Sequence, residues 1–152
     1  MVDRASHSAP PPRYLLVDGH SIIHAWEDLR KLHSRGASRY LAREELRKRM
    51  RLLQDMTAQR VVLVFDGTGE RLTEEREDDG IQVFYADAAQ SADSVIERLA
   101  ARYARQFQIR VCTADRMIWE TVRAFEAHWI SPDDLRFEFE KAEAEMRDRI
   151  NY

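Results

Sequence analysis

Four aspartates in this chain are spaced so that they could bind one divalent cation together. Asp18, Asp66 and Asp115 each follow a short apolar run, and Asp93 opens an amphipathic segment that comes after a further run. Carboxylates crowded into one cleft repel each other and raise one another's pKa, and a cation relieves this repulsion. Because the set holds no His or Cys, its oxygen atoms favour a hard ion such as Mg²⁺ or Mn²⁺. Such an ion can activate a water for attack on a phosphodiester.

Each of these aspartates also has an ordinary structural interpretation. An Asp after a strand is commonly a helix cap or a turn residue, and this is how we interpret Asp87. Asp66 precedes a glycine, which is a frequent turn pair, and Asp93 could simply favour the positive end of its helix. Glu97 shares a helix face with Asp93, where it would support the metal site from outside or face solvent. The prediction therefore depends on the joint placement of the four aspartates.

The apolar runs that precede the aspartates have the length of β-strands: 14–17, 61–65, 81–85 and 109–113. The first, second and fourth are almost continuously apolar, which is typical of strands buried on both faces of a parallel sheet. A short fifth strand is predicted at 128–130. Ligands of open parallel sheets bind at the carboxyl ends of the strands, so the aspartates are expected to meet at that edge.

Apolar residues at helical spacing separate these strands. The segment after Asp18 is predicted to form one helix, with apolar residues at Ile22, Trp26 and Leu29 and with Ser21 as the candidate N-cap. Ser91 is the expected cap of the helix that carries Asp93. Further helices are predicted over 42–56, 92–107, 117–125 and 132–150, and the Glu-rich segment 67–80 is predicted to be a loop. The alternation predicts an α/β three-layer sandwich around a mainly parallel sheet of four to five strands.

Length and composition indicate a single cytoplasmic domain. The chain has 152 residues, of which we expect 1–12 to be a disordered tail and 13–152 to be one domain. A single cysteine, Cys112, excludes a disulfide framework or a multi-cysteine zinc site and fits a reducing compartment. No apolar stretch approaches the roughly 20 residues that span a bilayer, and the N-terminus lacks the apolar region of a secretory signal. We therefore expect a cytoplasmic location and no membrane partner.

Arginines near the aspartates are the candidates for contact with a nucleic-acid backbone. The formal charge of -3, from 24 Lys+Arg and 27 Asp+Glu, does not by itself indicate a nucleic-acid-binding protein, but a basic face can lie opposite an acidic one. Arg35, Arg39 and Arg43 lie in the most basic stretch, and Arg116 follows Asp115. We predict that these four contact phosphates, although charge runs are more commonly solvated faces. The tryptophans are predicted to be core residues rather than base-stacking platforms: Trp26, Trp119 and Trp129.

Four segments together resemble a known family. Residues 16–26 read LVDGHSIIHAW, residues 62–66 read VLVFD, residues 91–97 read SADSVIE and residues 111–116 read VCTADR. Their order and spacing resemble those of the YacP-like NYN domains, which have a PIN-like nuclease fold, over nearly the whole chain from Tyr14. Any one of these motifs is weak, whereas four in order are fairly specific.

The resemblance implies a metal-dependent endoribonuclease linked to mRNA turnover. It implies that Asp18, Asp93 and Asp115 bind Mg²⁺ or Mn²⁺ and activate water, with Asp66 as a supporting ligand. RNA, mRNA in particular, is the implied partner, and a ribosome is left open as a further one. Ser21 stands where the family has an asparagine, and its hydroxyl still offers a hydrogen-bonding group beside the metal site.

Two other functions remain open on the sequence. Ser21 and Ala114, which replaces a serine or asparagine of the family, are also substitutions that a catalytically weakened RNA- or protein-binding module would carry. A phosphohydrolase of another α/β type would also use strand-end aspartates. Such an enzyme would carry an Asp-x-Asp pair after the first strand, whereas Asp18 is followed by glycine and histidine. The sequence specifies neither the RNA target nor the oligomeric state.

Overall fold

A six-stranded sheet forms the centre of the computed structural model, which describes residues 12–34, 39–67, 73–76, 80–87 and 90–151. The strands are β1 (Arg13–Asp18), β2 (Arg60–Asp66), β3 (Thr73–Arg76), β4 (Gln82–Ala86), β5 (Gln108–Cys112) and β6 (His128–Ile130). They lie in the order β3-β4-β2-β1-β5-β6, and every neighbouring pair is parallel except β3–β4. The predicted mainly parallel α/β sheet is confirmed, with one strand more than expected. Residues 1–11 of the expected tail lie outside the described residues.

The additional strand, β3, lies within the segment that we predicted to be a loop. It pairs antiparallel with β4, placing Glu74 opposite Phe84. The loop prediction was wrong for these four residues because an edge strand forms its ladder through backbone groups and needs no alternation of apolar side chains. Glu74 is exposed, as is common for charged residues on sheet edges.

Helices cover both faces of the sheet. They are α1 (Gly19–Ala25), α2 (Glu27–His33), α3 (Arg39–Thr57), α4 (Ala92–Tyr103), α5 (Arg116–Ala124) and α6 (Pro132–Asn151). Leu15 and Val17 of β1 pack with α1, α2, α3 and α6, whereas Leu16 packs on the opposite face with α4 and α5. This alternation along one strand gives the predicted three layers. Within the described part of the chain, no helix has the length and apolar content needed to cross a bilayer.

The region after β1 forms two short helices rather than the single helix that we predicted. Trp26 separates them in an extended conformation, with φ -87° and ψ 116°. Its ring is 3% exposed and its indole N–H donates to the carbonyl oxygen of Pro132 at 3.0 Å. Burying this ring and satisfying its N–H together account for the break, because a buried N–H without a partner is costly. The prediction that Trp26 belongs to the core is confirmed.

The end of β1 lies at the topological switch point, where the strand order reverses. The chain moves from β1 to β2 and β4 on one side and then returns to β5 on the other. Crossovers on opposite faces leave a crevice at such a point. Val17 is paired with Cys112, so Asp18 and Thr113 come next to each other at the carboxyl edge of the sheet.

Close packing at this edge requires a glycine after Asp18. A Cβ built on Gly19 would overlap the ring of Phe65, which lies at the end of β2. The ring is 2% exposed and has little room to move away. Gly19 is therefore needed for the close approach of α1 to β2.

We predict that Gly19→Ala lowers the free energy of unfolding by about 1–3 kcal/mol, the usual cost of overpacking a core. Urea denaturation of the variant and the wild type measures the difference. A Gly19→Ala, Phe65→Leu double variant should lose less than the sum of the two single variants, because the smaller side chain makes room for the methyl group. Equal unfolding midpoints for Gly19→Ala and wild type would contradict the packing argument.

Candidate metal centre

The four predicted aspartates line one open cleft, of about 560 Å³, at the carboxyl edge of the sheet. Asp18 is the last residue of β1, Asp66 is the last residue of β2, and Asp93 lies in the first turn of α4. Asp115 is the N-cap of α5. The remaining lining residues are His20, Ser21, His24, Ala25, Ser91 and Ala114. The structure thus brings together carboxylates from four different elements, as the sequence predicted.

Asp18 is held in place by three hydrogen bonds. Its side chain accepts from the hydroxyl of Ser21 at 2.8 Å, from the hydroxyl of Thr113 at 3.2 Å and from the backbone N–H of Ser21 at 3.3 Å. The residue is only 5% exposed. The predicted N-cap at Ser21 is wrong, because Asp18 itself caps α1 and Ser21 lies in the first turn. Asp18 is therefore a buried and rigidly oriented carboxylate.

Two hydroxyl groups connect Asp18 to the end of β5. Ser21 donates to Asp18 and accepts from the backbone N–H of Ala114 at 3.1 Å. Thr113 donates to Asp18 and accepts from the backbone N–H of Asp115 at 3.0 Å. We predicted a supporting place for Ser21, but sequence reasoning missed Thr113. Its position just before Ala114 and Asp115, at the end of an apolar run, was the available signal.

Asp93 and Asp115 form a hydrogen-bonded pair of carboxyl groups. Burial, the hydrogen bond to Asp115 and the negative charges of Asp18, Asp115 and Asp66 raise the pKa of Asp93 to about 7. Asp115 also accepts from the backbone N–H of Met117 at 2.9 Å. A raised carboxyl pKa is a recognised consequence of forcing like charges together. Positive charge is therefore most favourable between Asp93 and Asp115.

Asp66 is tied to the start of α4 and to an arginine. Its side chain accepts from the backbone N–H of Ala92 at 2.8 Å, and its carbonyl oxygen accepts from the guanidinium of Arg43 at 3.0 Å. The Arg43 guanidinium also lies 4.8 Å from the centroid of the Phe65 ring. Arg43, a predicted phosphate contact, is thus half-buried and already engaged in packing at the end of β2.

Of the remaining residues predicted for the site, one glutamate and three arginines, those that the structure describes lie outside the lining of the cleft. Glu97 does not line the cleft, although it lies one helical turn beyond Asp93. Arg39 is exposed near the start of α3, and Arg35 lies outside the described residues. Arg116 pairs with Glu120 at 3.5 Å, both side chains being largely exposed, so this ion pair is weak and easily exchanged for a phosphate. Their roles stay predictions.

Two of the tryptophans predicted to lie in the core are found partly exposed at the surface instead. Trp129 is 39% exposed, and Trp119 is half-buried beside it, with 5.2 Å between the ring centroids. The prediction failed because β6 is an edge strand with β5 as its neighbour and the short α5 covers its face incompletely. The indole N–H of Trp129 donates to the carbonyl oxygen of Thr113 at 2.8 Å.

The chemistry of the cleft suits a hard divalent cation. Among the described residues, no three His, Cys, Asp or Glu side chains are arranged to hold a metal ion as they stand. Mg²⁺, however, commonly binds through one or two carboxylates and keeps several waters. Asp93 and Asp115 would be the direct ligands, because a cation between them would offset the repulsion that raises the pKa of Asp93. Asp18 and Asp66 would then contact the waters of the ion.

Comparison with known proteins identifies the family. The model of the YacP-like NYN domain matches residues 15–152, and the chain belongs to this family, whose fold is PIN-like and nuclease-like. Over 107 residues the chain is 34% identical to the uncharacterized protein YacP of Bacillus subtilis (strain 168), a match covering 66% of this chain and 59% of that protein. The family resemblance of the four sequence motifs is confirmed.

Solved structures support the same assignment. The crystal structure of the W164L mutant of Rae1 (YacP) from Bacillus subtilis superposes with a TM-score of 0.77 at 30% identity, covering 91% of this chain and 80% of that chain. A second crystal structure of Rae1 (YacP) gives a TM-score of 0.75 at 29% identity, with 91% and 79% covered. The similarity therefore extends over nine-tenths of this chain.

The raised pKa of Asp93 predicts how stability depends on pH. Folding stability from this group is fully present below its ordinary pKa of 3.8 and is lost as the pH rises through about 7. In protein treated with a chelator, Asp93→Asn should therefore be more stable than wild type above pH 7, by about 1–2 kcal/mol after solvent screening. The gain should disappear below pH 4, as thermal unfolding at several pH values would measure.

Asp55→Asn is the matched control, because Asp55 is exposed near the C-terminal end of α3, close to the opposite edge of the sheet. It should change stability little at any pH. A gain in Asp93→Asn of the same size at pH 4 and pH 8 would show that the carboxyl group does not carry the proton that we assign to it.

Proposed function

We propose that this protein is a metal-dependent endoribonuclease that hydrolyses RNA phosphodiester bonds in the cleft of the four aspartates. The observation that carries the proposal is the convergence of four carboxylates, from Asp18, Asp66, Asp93 and Asp115, in one open cleft. Such a cluster costs stability, and strongly perturbed carboxyl groups in a cleft are characteristic of functional sites. Membership in the YacP-like NYN family supports the same conclusion.

The residues of the cleft have distinct roles in this proposal. A Mg²⁺ or Mn²⁺ ion held there would supply an activated water and stabilise the charge that develops on the phosphate. Asp93 and Asp115 would hold the ion through their carboxylate oxygens. Asp18, fixed by Ser21 and Thr113, orients a water molecule in the direction of the scissile phosphate. Asp66, exposed at the end of β2, supports the site from the other side.

The shape and surroundings of the cleft favour a polymeric substrate. The cleft is open to solvent rather than enclosed, so that it could admit part of a chain. Exposed arginines, Arg39 and Arg116, lie on elements that begin near the cleft and could contact flanking phosphates. RNA, and mRNA in particular, is the substrate class that we propose, with a ribosome as a further candidate partner.

Ser21 argues for a working site rather than a decayed one. Its hydroxyl donates to the carboxylate of Asp18 and accepts from the backbone N–H of Ala114. Both contacts organise the cleft, even though the side chain is shorter than asparagine. Binding without cleavage, as in a weakened module of the family, is the competing outcome of the assay below.

We predict that the purified protein cleaves single-stranded RNA in the presence of Mn²⁺ and not in the presence of a chelator. Asp93→Asn and Asp115→Asn should each lower the cleavage rate by about 100-fold or more, since each removes a proposed metal ligand. The control Asp55→Asn should cleave like wild type. RNA cleavage is followed on denaturing gels. Cleavage that survives chelation or either cleft substitution contradicts the proposal, and RNA binding without any cleavage favours the binding module.

We also predict that Ser21→Ala lowers kcat by about 10-fold with little change in KM. The variant loses the hydroxyl that orients Asp18, which acts in the chemical step, whereas substrate contacts remain. Ser21→Asn, which restores the family's side chain, should recover most of the loss because an amide can also donate to Asp18. A kcat for Ser21→Ala equal to that of wild type would show that Ser21 does not contribute to the chemical step.

A further inference from the structure

We propose that the groove between α5 and β6 binds single-stranded RNA beside the acidic cleft, with Trp119 and Trp129 stacking nucleobases and Arg123 and Arg116 contacting phosphates. The inference rests on the proposed function, since it takes RNA as the substrate. It assigns a second surface to that substrate and gives the tryptophans a function that their sequence positions did not suggest.

The groove has the shape and lining of a base-stacking site. It has a volume of about 460 Å³ and is lined by Trp119, Arg123, Glu126, Ala127, His128 and Trp129. The two indole rings are tilted by 39° with their centroids 5.2 Å apart, and Trp129 is 39% exposed. Each ring can offer part of its surface to a base, and such stacking has little sequence preference.

Two arginine side chains lie near the ring of Trp119. The guanidinium of Arg123 lies 5.4 Å from the centroid of Trp119, and that of Arg116 lies 5.9 Å from it. Both arginines are exposed, and no ion pair joins Arg123 to another described residue. Glu120, which pairs with Arg116, and Glu126 reduce the local positive charge, but exposed ion pairs contribute little and exchange readily for a phosphate. Arginine beside an aromatic face combines stacking with phosphate binding.

The groove lies next to the acidic cleft along α5, although the two have no lining residue in common. The backbone N–H of Trp119 donates to the carbonyl oxygen of Asp115 at 3.1 Å, so that Trp119 lies one helical turn, about 6 Å along the axis, beyond this carboxylate. The indole of Trp129 donates to the carbonyl oxygen of Thr113, whose hydroxyl holds Asp18. A strand whose phosphate lies among the aspartates would therefore reach the indole rings with a neighbouring nucleotide.

The combination of features favours single-stranded RNA over a protein partner. Two partly exposed indole rings with arginines beside them, next to the cleft that we propose for the phosphodiester, suit the binding of a single strand. In a duplex the bases are already stacked on each other and are not available to the indole rings. We therefore expect the groove to distinguish single-stranded from double-stranded RNA.

The test is a binding titration with a single-stranded RNA dodecamer that carries one 2-aminopurine, whose fluorescence is quenched by stacking. It is performed with chelator, so that no cleavage occurs. Trp119→Leu and Arg123→Gln should each raise the Kd about 10-fold, and Trp119→Leu should reduce the quenching. Trp129→Phe, which keeps an aromatic face, should bind better than Trp129→Leu. Arg147→Gln, on the distant C-terminal part of α6, is the control and should bind like wild type. Thermal unfolding shows whether each variant is folded.

The outcomes separate this inference from the proposed function. If folded Trp119→Leu and Arg123→Gln bind and quench like wild type while wild type cleaves RNA with Mn²⁺, the groove is not an RNA site and the nuclease proposal stands. If the two variants lose affinity and wild type cleaves no RNA, the groove inference stands and the nuclease proposal fails. Equal losses for single-stranded and double-stranded RNA would overturn the stacking argument and leave only an electrostatic contact.

Discussion

Mutual repulsion among four carboxylates is the physical constraint that organises the carboxyl edge of this sheet. The strand order forces Asp18 and Asp115 toward each other, and Asp66 and Asp93 complete the cluster from the other side. Several negative charges in one cleft repel each other strongly unless hydrogen-bond donors, protons or cations offset the repulsion. The groups around the four aspartates provide these donors and protons.

Compensation comes from backbone donors, hydroxyl groups and one proton. Asp18, Asp66 and Asp115 each accept a backbone N–H from the start of a helix, where the helix dipole favours negative charge. The hydroxyls of Ser21 and Thr113 add two donors to Asp18. Burial, the contact with Asp115 and the surrounding negative charges raise the pKa of Asp93 to about 7, so that this carboxyl group keeps its proton until near neutral pH. A divalent cation would complete the compensation, and this links the structural constraint directly to the chemistry that we propose.

The sequence predicted the parts of the structure that depend on strong local patterns. Apolar runs identified β1, β2, β4 and β5, and the aspartates at their ends were expected to meet because parallel strands share a carboxyl edge. Features that depend on tertiary contacts escaped prediction. The backbone pairing of β3 leaves no pattern in its side chains, and the break at Trp26 arises from a hydrogen bond to Pro132, far along the chain.

Side-chain roles within the site were predicted less well than side-chain positions. Thr113 looked like the end of an apolar strand, and only the register of β1 against β5 reveals that it bonds Asp18. Arg43 belongs to a basic stretch in the sequence, whereas in the fold it packs on Phe65. Trp129 has the large apolar side chain that is typical of a core residue, but it lies on an edge strand that α5 covers incompletely. In each case the decisive information is which element lies next to the residue.

The most direct test of the central claim is the position of a bound cation. A crystal soaked with Mn²⁺ and measured near the manganese absorption edge should give an anomalous peak between Asp93 and Asp115, about 2.1 Å from a carboxylate oxygen of each. A cleft without such a peak, at a Mn²⁺ concentration that supports RNA cleavage in solution, would contradict the claim that this pair of carboxyl groups exists to hold a metal ion.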